Sequence, residues 1–104
     1  MTIKELCKKS HKMAVKKGFW DKKRNDGEII ALMHSELSEV LEGLRKGNPP
    51  SGKIPKFTSV EEEIADLFIR AGDYIEAKKL RIVEAIVAKM KYNSIRPYKH
   101  GKEF

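Results

Sequence analysis

Apolar residues recur along this chain at intervals of three and four, not two, so the pattern predicts helices throughout and no sheet. A first helix is expected over residues 3–17. Thr2 and Glu5 have the spacing of a capping box, in which hydroxyl and carboxylate each satisfy a free backbone N–H. Gly18 supplies the stop, and residues 18–26 read as a basic loop carrying Phe19 and Trp20. A second helix is expected over residues 26–45, with Asn25 and Glu28 at its start. Its stripe of Ile30, Met33, Leu37, Val40, Leu41 and Leu44 is the expected core face. The segment 46–57 holds three prolines and two glycines, which makes it either a lid or a linker. A third helix should begin at Ser59, with Glu62 as box partner and Ile64, Leu67, Phe68, Ala71 and Ile75 on its apolar face. A fourth apolar set, Ile82, Val83, Ile86, Val87 and Met90, follows with no Gly or Pro between. One helix of about 35 residues would exceed ordinary lengths, so a break is expected near residues 77–80. Residues 93–104 read as an extended basic tail. The fold expected is all-α, a bundle of about four helices in a single domain over residues 1–104.

Size and cysteine count add two constraints. A chain of 104 residues buries only about 60–70% of its unfolded surface, so the bundle is expected to be completed by oligomerisation, as a homodimer or homotetramer. Cys7 is the lone cysteine and has no disulfide partner within the chain, which points to a reducing compartment. No apolar run approaches the ~20 residues that span a bilayer, and residues 1–12 lack the apolar centre of a secretory signal. A cytoplasmic protein with no membrane partner is expected. Cys7 and His34 read as structural.

Charge is segregated. Residues 1–25 carry nine basic and two acidic side chains, residues 26–77 five and eleven, and residues 78–104 eight and two. An acidic centre between basic ends is not the pattern of a uniformly basic nucleic-acid surface. The centre holds two carboxylate pairs of equal spacing, Glu36-x-x-Glu39 on the second helix and Glu63-x-x-Asp66 on the third. A separation of three puts both members of each pair on one helix face. If the two helices pack antiparallel, four carboxylates converge and need cations, and hard oxygen donors select Mg²⁺ or Mn²⁺. The plain alternative is helix-surface decoration: Asp66 with Arg70 and Glu42 with Lys46 are spaced as surface ion pairs.

Other chemistries fail on residues. A di-iron bundle needs Glu three before a histidine on two helices, but Lys8, Ala31 and Pro97 stand three before His11, His34 and His100. The run Gly47 to Lys53 matches the spacing of a phosphate-binding P-loop. Ile54 stands where that loop needs Ser or Thr, and two prolines remove its N–H donors.

Taken together, HSELSEVLEGLRKGNP, EEEIADLFIRAGDY and KMKYNSIRPYKHGK resemble the all-α nucleoside triphosphate pyrophosphohydrolases, the MazG-like group that includes the dimeric dUTPases and dCTP pyrophosphatases. The group's E-x-x-E and E-x-x-D are matched by Glu36, Glu39, Glu63 and Asp66, and the resemblance runs over about residues 15–102. It implies Mg²⁺-dependent cleavage of a nucleoside triphosphate between its α and β phosphates, giving monophosphate and pyrophosphate. It implies those four carboxylates as metal ligands. It also implies substrate contacts from Lys89, Asn93, Arg96, Lys99 and His100, with Trp20 near the base. The alternative is a non-catalytic basic helical module that binds nucleic acid or nucleotide, resting on the two basic ends.

Overall fold

The computed structural model describes residues 1–103. Four helices follow in chain order: α1 (Ile3–Lys16), α2 (Asp26–Arg45), α3 (Ser59–Ala77) and α4 (Ile82–Ser94). A short 3₁₀ turn, Tyr98–Gly101, comes last, and there is no strand among the described residues.

The ends of the helices follow from local chemistry. Thr2 and Glu5 form the expected capping box, and Asn25 caps α2 through the Glu28 N–H. At α3 the box sits one residue earlier than its expected position: Thr58 is the N-cap and Glu61 its partner. The Ser59 hydroxyl is already committed to the Pro49 carbonyl, and Glu62 to Ser51, which leaves the capping roles to their neighbours. Gly18 and Gly47 terminate α1 and α2 in the left-handed region, at φ +87° and +82°, with paired C-terminal hydrogen bonds behind them. The break after α3 has the same hydrogen bonds, but Lys79 occupies the left-handed position at φ +56°. No glycine marks that turn, which is why it is faint in the sequence.

α3 is the central element. α2 lies antiparallel to it. Gly43 near the end of α2 faces Ser59 at the start of α3, and Asp26 at the start of α2 pairs with Lys78 (2.9 Å) beyond its end. α1 is antiparallel too and comes very close at Gly72. A Cβ added there would stand 3.3 Å from the Cys7 Cα and 3.2 Å from the Ser10 Oγ. α4 meets the other helices mainly at its start, where Ile82 and Val83 face Lys4, Cys7 and Lys8 across a 180 Å³ cleft. None of its residues is buried.

The segment 46–57 is folded onto the start of α3, neither an open lid nor a loose linker. The Ser51 N–H donates to the Phe57 carbonyl (2.8 Å), the Ser59 N–H to Pro49 (2.8 Å), and the Val60 N–H to the Asn48 side chain (3.0 Å). The expected extended tail likewise closes into the 3₁₀ turn, with Lys99 and His100 at positive φ. Phe104, the last residue of that tail, lies outside the described residues.

The core differs from expectation. Cys7 and Ile29 are the buried apolar residues among those described. Ile30, Leu37, Leu41 and Leu44 of the expected core stripe are exposed, as are Ile64 and Phe68 of α3. The reason is rotation. α3 meets the adjoining face of α2, the line Ile29, Glu36, Gly43 at sevenfold spacing, and leaves the more apolar stripe bare. The chain exposes 8461 Å², against roughly 6,000 Å² for a folded monomer of this mass. Its radius of gyration is 16.3 Å, against about 13 Å for a closed domain of this length. No helix among the described residues is long and apolar enough to cross a membrane.

The close approach of α1 and α3 gives a direct test. Gly72→Ala forces these two helices apart and is expected to lower unfolding free energy by about 1–3 kcal/mol, read by denaturant melts. Gly47→Ala, whose Cβ meets nothing within 4 Å, should cost only the left-handed penalty of about 1 kcal/mol.

Candidate functional site

On α3, Glu63, Asp66, Arg70 and Asp73 are separated by three, four and three, so they form a single polar stripe along the helix. α1 faces this stripe with Ser10, Ala14 and Lys17, and α2 with Glu36 and Glu39. Between them lies a cavity of about 440 Å³, lined also by Lys53 of the folded loop and by Phe19 and Arg24 of the basic loop. That volume is within the range of small-molecule sites.

At one end the carboxylates converge. Glu36, Glu63 and Asp66 each bring one oxygen to within 4.8 Å of the others. Glu39 lines the same cavity but stands outside that tight group. Glu36 is buried, and its Oε1 accepts from Arg70 Nε at 2.7 Å. Arg70 thus reaches across to Glu36 of α2 and does not form the surface pair with Asp66 that its spacing on α3 predicts. The expected Glu42–Lys46 pair is present at 3.9 Å and exposed.

Burial, and after it the crowding of like charges, shows in the protonation of the cluster. Burial pushes the Glu63 carboxyl up to about 7, helped by a hydrogen bond with Glu36 and by the charges of Glu62, Glu36 and Glu39. Burial also raises Asp66, with the charges of Glu36 and Glu62, while Lys53 and Arg70 hold it back. An all-oxygen donor set that retains a proton near neutrality suits a hard divalent cation, which would displace that proton on binding. The donors therefore fit Mg²⁺ or Mn²⁺.

The other end is built on Asp73, a buried carboxylate the sequence reading did not single out. Its Oδ1 accepts from His11 Nδ1 (2.8 Å) and from Trp20 Nε1 (2.9 Å), and its Oδ2 faces Arg24 Nη1 at 3.4 Å. The Arg24 guanidinium also lies over the Trp20 ring, 4.8 Å from its centroid, and near Phe19 at 5.9 Å. One α3 carboxylate thus fixes α1 and the loop between α1 and α2. Trp20 is spent on this anchor, and Phe19 beside it forms the cavity wall. The seven-residue step from Asp66 to Asp73 placed both on one face and was a usable signal.

The remaining candidates gather elsewhere. Lys89 and Arg96 both lie over the Tyr92 ring, at 4.7 and 5.7 Å, and Arg96 Nη1 is 3.5 Å from Asn93 Oδ1. Lys99 lies near Tyr98. None of Lys89, Asn93, Arg96, Lys99 and His100 lines the cavity. His34 is exposed and Cys7 buried, with its thiol pushed up by burial.

No protein-family model, curated protein or solved structure matches the chain.

The protonation of the cluster has a measurable sign. Native Glu63 holds its proton up to about pH 7, against an ordinary value of 4.5. Between those values the native state binds more protons than the unfolded one, so stability of the metal-free protein falls as pH rises. Melting temperatures in chelator should drop from about pH 5 to 7.5, and Glu63→Gln should flatten that slope. An unchanged slope in the variant would assign it to another group.

Proposed function

We propose that this chain is a Mg²⁺-dependent nucleoside triphosphate pyrophosphohydrolase, with Mn²⁺ as a substitute metal. It cleaves between the α and β phosphates and releases a nucleoside monophosphate and pyrophosphate. The observation that carries the reading is the meeting of Glu36, Glu63 and Asp66 within 4.8 Å in a 440 Å³ cavity. The likeness of both carboxylate motifs and the C-terminal segment to the MazG-like group supplies the reaction type.

A triphosphate carries about four negative charges, and carboxylates alone would repel it. Mg²⁺ held by the cluster would reverse the local sign and would supply Lewis acidity and an acidified water when bound. Glu36, Glu63 and Asp66 are the ligands, and Glu39 on the same wall completes the donor set. Arg70 holds Glu36 in one orientation and offsets its charge. The Asp73 anchor keeps the 18–25 loop over the cavity, so Phe19 offers an aromatic face to a bound nucleotide. The resemblance adds Lys89, Asn93, Arg96, Lys99 and His100 as phosphate contacts. Because they stand off the cavity in one protomer, that role requires a second copy or a closer approach of α4.

The oligomer belongs to the same proposal. The chain exposes about 2,500 Å² more than a closed monomer of its mass, the scale of an obligate interface. The bare stripe of Ile30, Leu37, Leu41 and Leu44 with Phe68 is its expected centre. A second copy covers it as a homodimer, or two pairs as a homotetramer. The buried free thiol of Cys7 fits a reducing, cytoplasmic setting.

Product analysis with Mg²⁺ and a panel of normal and modified nucleoside triphosphates should give monophosphate and pyrophosphate. Asp66→Asn and Glu39→Gln should each reduce turnover on the order of 100-fold or more while circular dichroism stays helical. Full activity in both would remove the metal centre from the reading. Light scattering should find a dimer or tetramer, and Leu41→Glu should shift it toward monomer.

A further inference from the structure

The cations that line the cavity divide by what they touch. Arg70 is committed to Glu36 and Arg24 to Asp73. Lys17 and Lys53 line the same wall and form no ion pair among the described residues. Lys17 closes α1 as its C-cap. Lys53 stands on the loop between α2 and α3, beside the carboxylate end.

The backbone around Lys53 is held with unusual care for a surface loop. Ser51 is 3% exposed. Its Oγ accepts from the Lys53 N–H (3.1 Å) and the Ile54 N–H (3.0 Å) and donates to the Glu62 carboxylate. Glu62 precedes Glu63, so the latch ties the position of Lys53 to the helix turn that carries the carboxylate cluster. Pro50 and Thr58 form an antiparallel bridge that closes the loop from behind. Packing alone does not need this arrangement, since Gly52 has open space around it and Ile54 and Phe57 are exposed.

We infer that Lys53 is a contact for the phosphate chain of the substrate, delivered by the 46–57 loop and fixed by the Ser51–Glu62 latch. The inference rests on the pyrophosphohydrolase reading and adds to it a residue outside the C-terminal segment. A polyphosphate placed against a cation held by Glu36, Glu63 and Asp66 presents its remaining oxygens to the cavity rim. An ammonium with three donors and no ion-pair partner among the described residues is suited to receive them. Lys53 lines the same cavity as Glu36, Glu63 and Asp66, so it is placed at the rim of the carboxylate end. The plain alternative is that Lys53 only offsets carboxylate charge. That role predicts a change in metal affinity and none in phosphate affinity.

The test separates the two on the full-length protein. Calorimetric titration with Mn²⁺ alone reads the metal site. Titration with inorganic tripolyphosphate at saturating Mg²⁺ reads the phosphate site, and steady-state kinetics on the best triphosphate gives KM and kcat. Lys53→Met should weaken tripolyphosphate and raise KM about tenfold or more, with Mn²⁺ affinity unchanged or tighter. Lys53→Arg should recover most of the loss. Ser51→Ala, which frees the loop, should weaken tripolyphosphate in the same direction with Mn²⁺ affinity kept. If Lys53→Met binds tripolyphosphate as the parent does, the inference is overturned while the enzyme reading stands. If the parent binds neither Mn²⁺ nor tripolyphosphate, both fall.

Discussion

Three carboxylates cannot stand within 4.8 Å of one another unless something removes charge from between them. In this chain three agents do so. Arg70 takes one oxygen of Glu36, a proton stays on Glu63 up to about pH 7, and Lys53 and Arg70 act on Asp66. Each solution constrains the fold. Arg70 must lie one turn beyond Asp66 on α3 and reach α2, so the two helices are fixed in register. Lys53 must come from the loop that joins them, so that loop cannot be slack. The site and the α2–α3 hairpin are one construction.

The second half of the site depends on the same helix. Asp73 continues the polar stripe of α3 by one more step and gathers His11, Trp20 and Arg24. Removing a buried acceptor of several charge-assisted bonds is costly. The anchor therefore ties the basic loop to α3 and reinforces the close approach of α1 at Gly72. Such a division of labour suits a chain whose buried apolar residues are so few. Polar contacts set much of the geometry of the chain, and larger apolar side chains such as Leu37, Leu41, Leu44 and Phe68 are left exposed.

Much of this was legible in the residues. Spacing of apolar positions found all four helices, and capping residues found the starts of α1 and α2. The equal spacing of the paired carboxylates offers convergence beside surface decoration, and three of the four, Glu36, Glu63 and Asp66, do meet, while Glu39 stands outside the group. What stayed hidden has physical causes. The turn at Lys79 uses a residue without the freedom of glycine, and the cap of α3 moved because Ser59 and Glu62 were recruited by the loop. Arg70, Asp73 and Ser51 act across the chain at separations of 34, 62 and 11 residues, and helical periodicity carries no information at such range. The apolar stripe of α2 reads from spacing as the core face, but Ile30, Leu37, Leu41 and Leu44 are exposed because α3 packs on the adjoining line of Ile29, Glu36 and Gly43.

Trp20 is the chain's one tryptophan. Its indole N–H is bound to Asp73, its face lies under Arg24, and the His11 ring stands edge-on at 5.5 Å. All ultraviolet-excited indole emission from this protein therefore originates at the hinge between α1 and the loop that borders the cavity. A charged guanidinium and an imidazole in contact with an indole alter its brightness and colour. The molecule carries an intrinsic optical gauge of that loop, with no background from any other position.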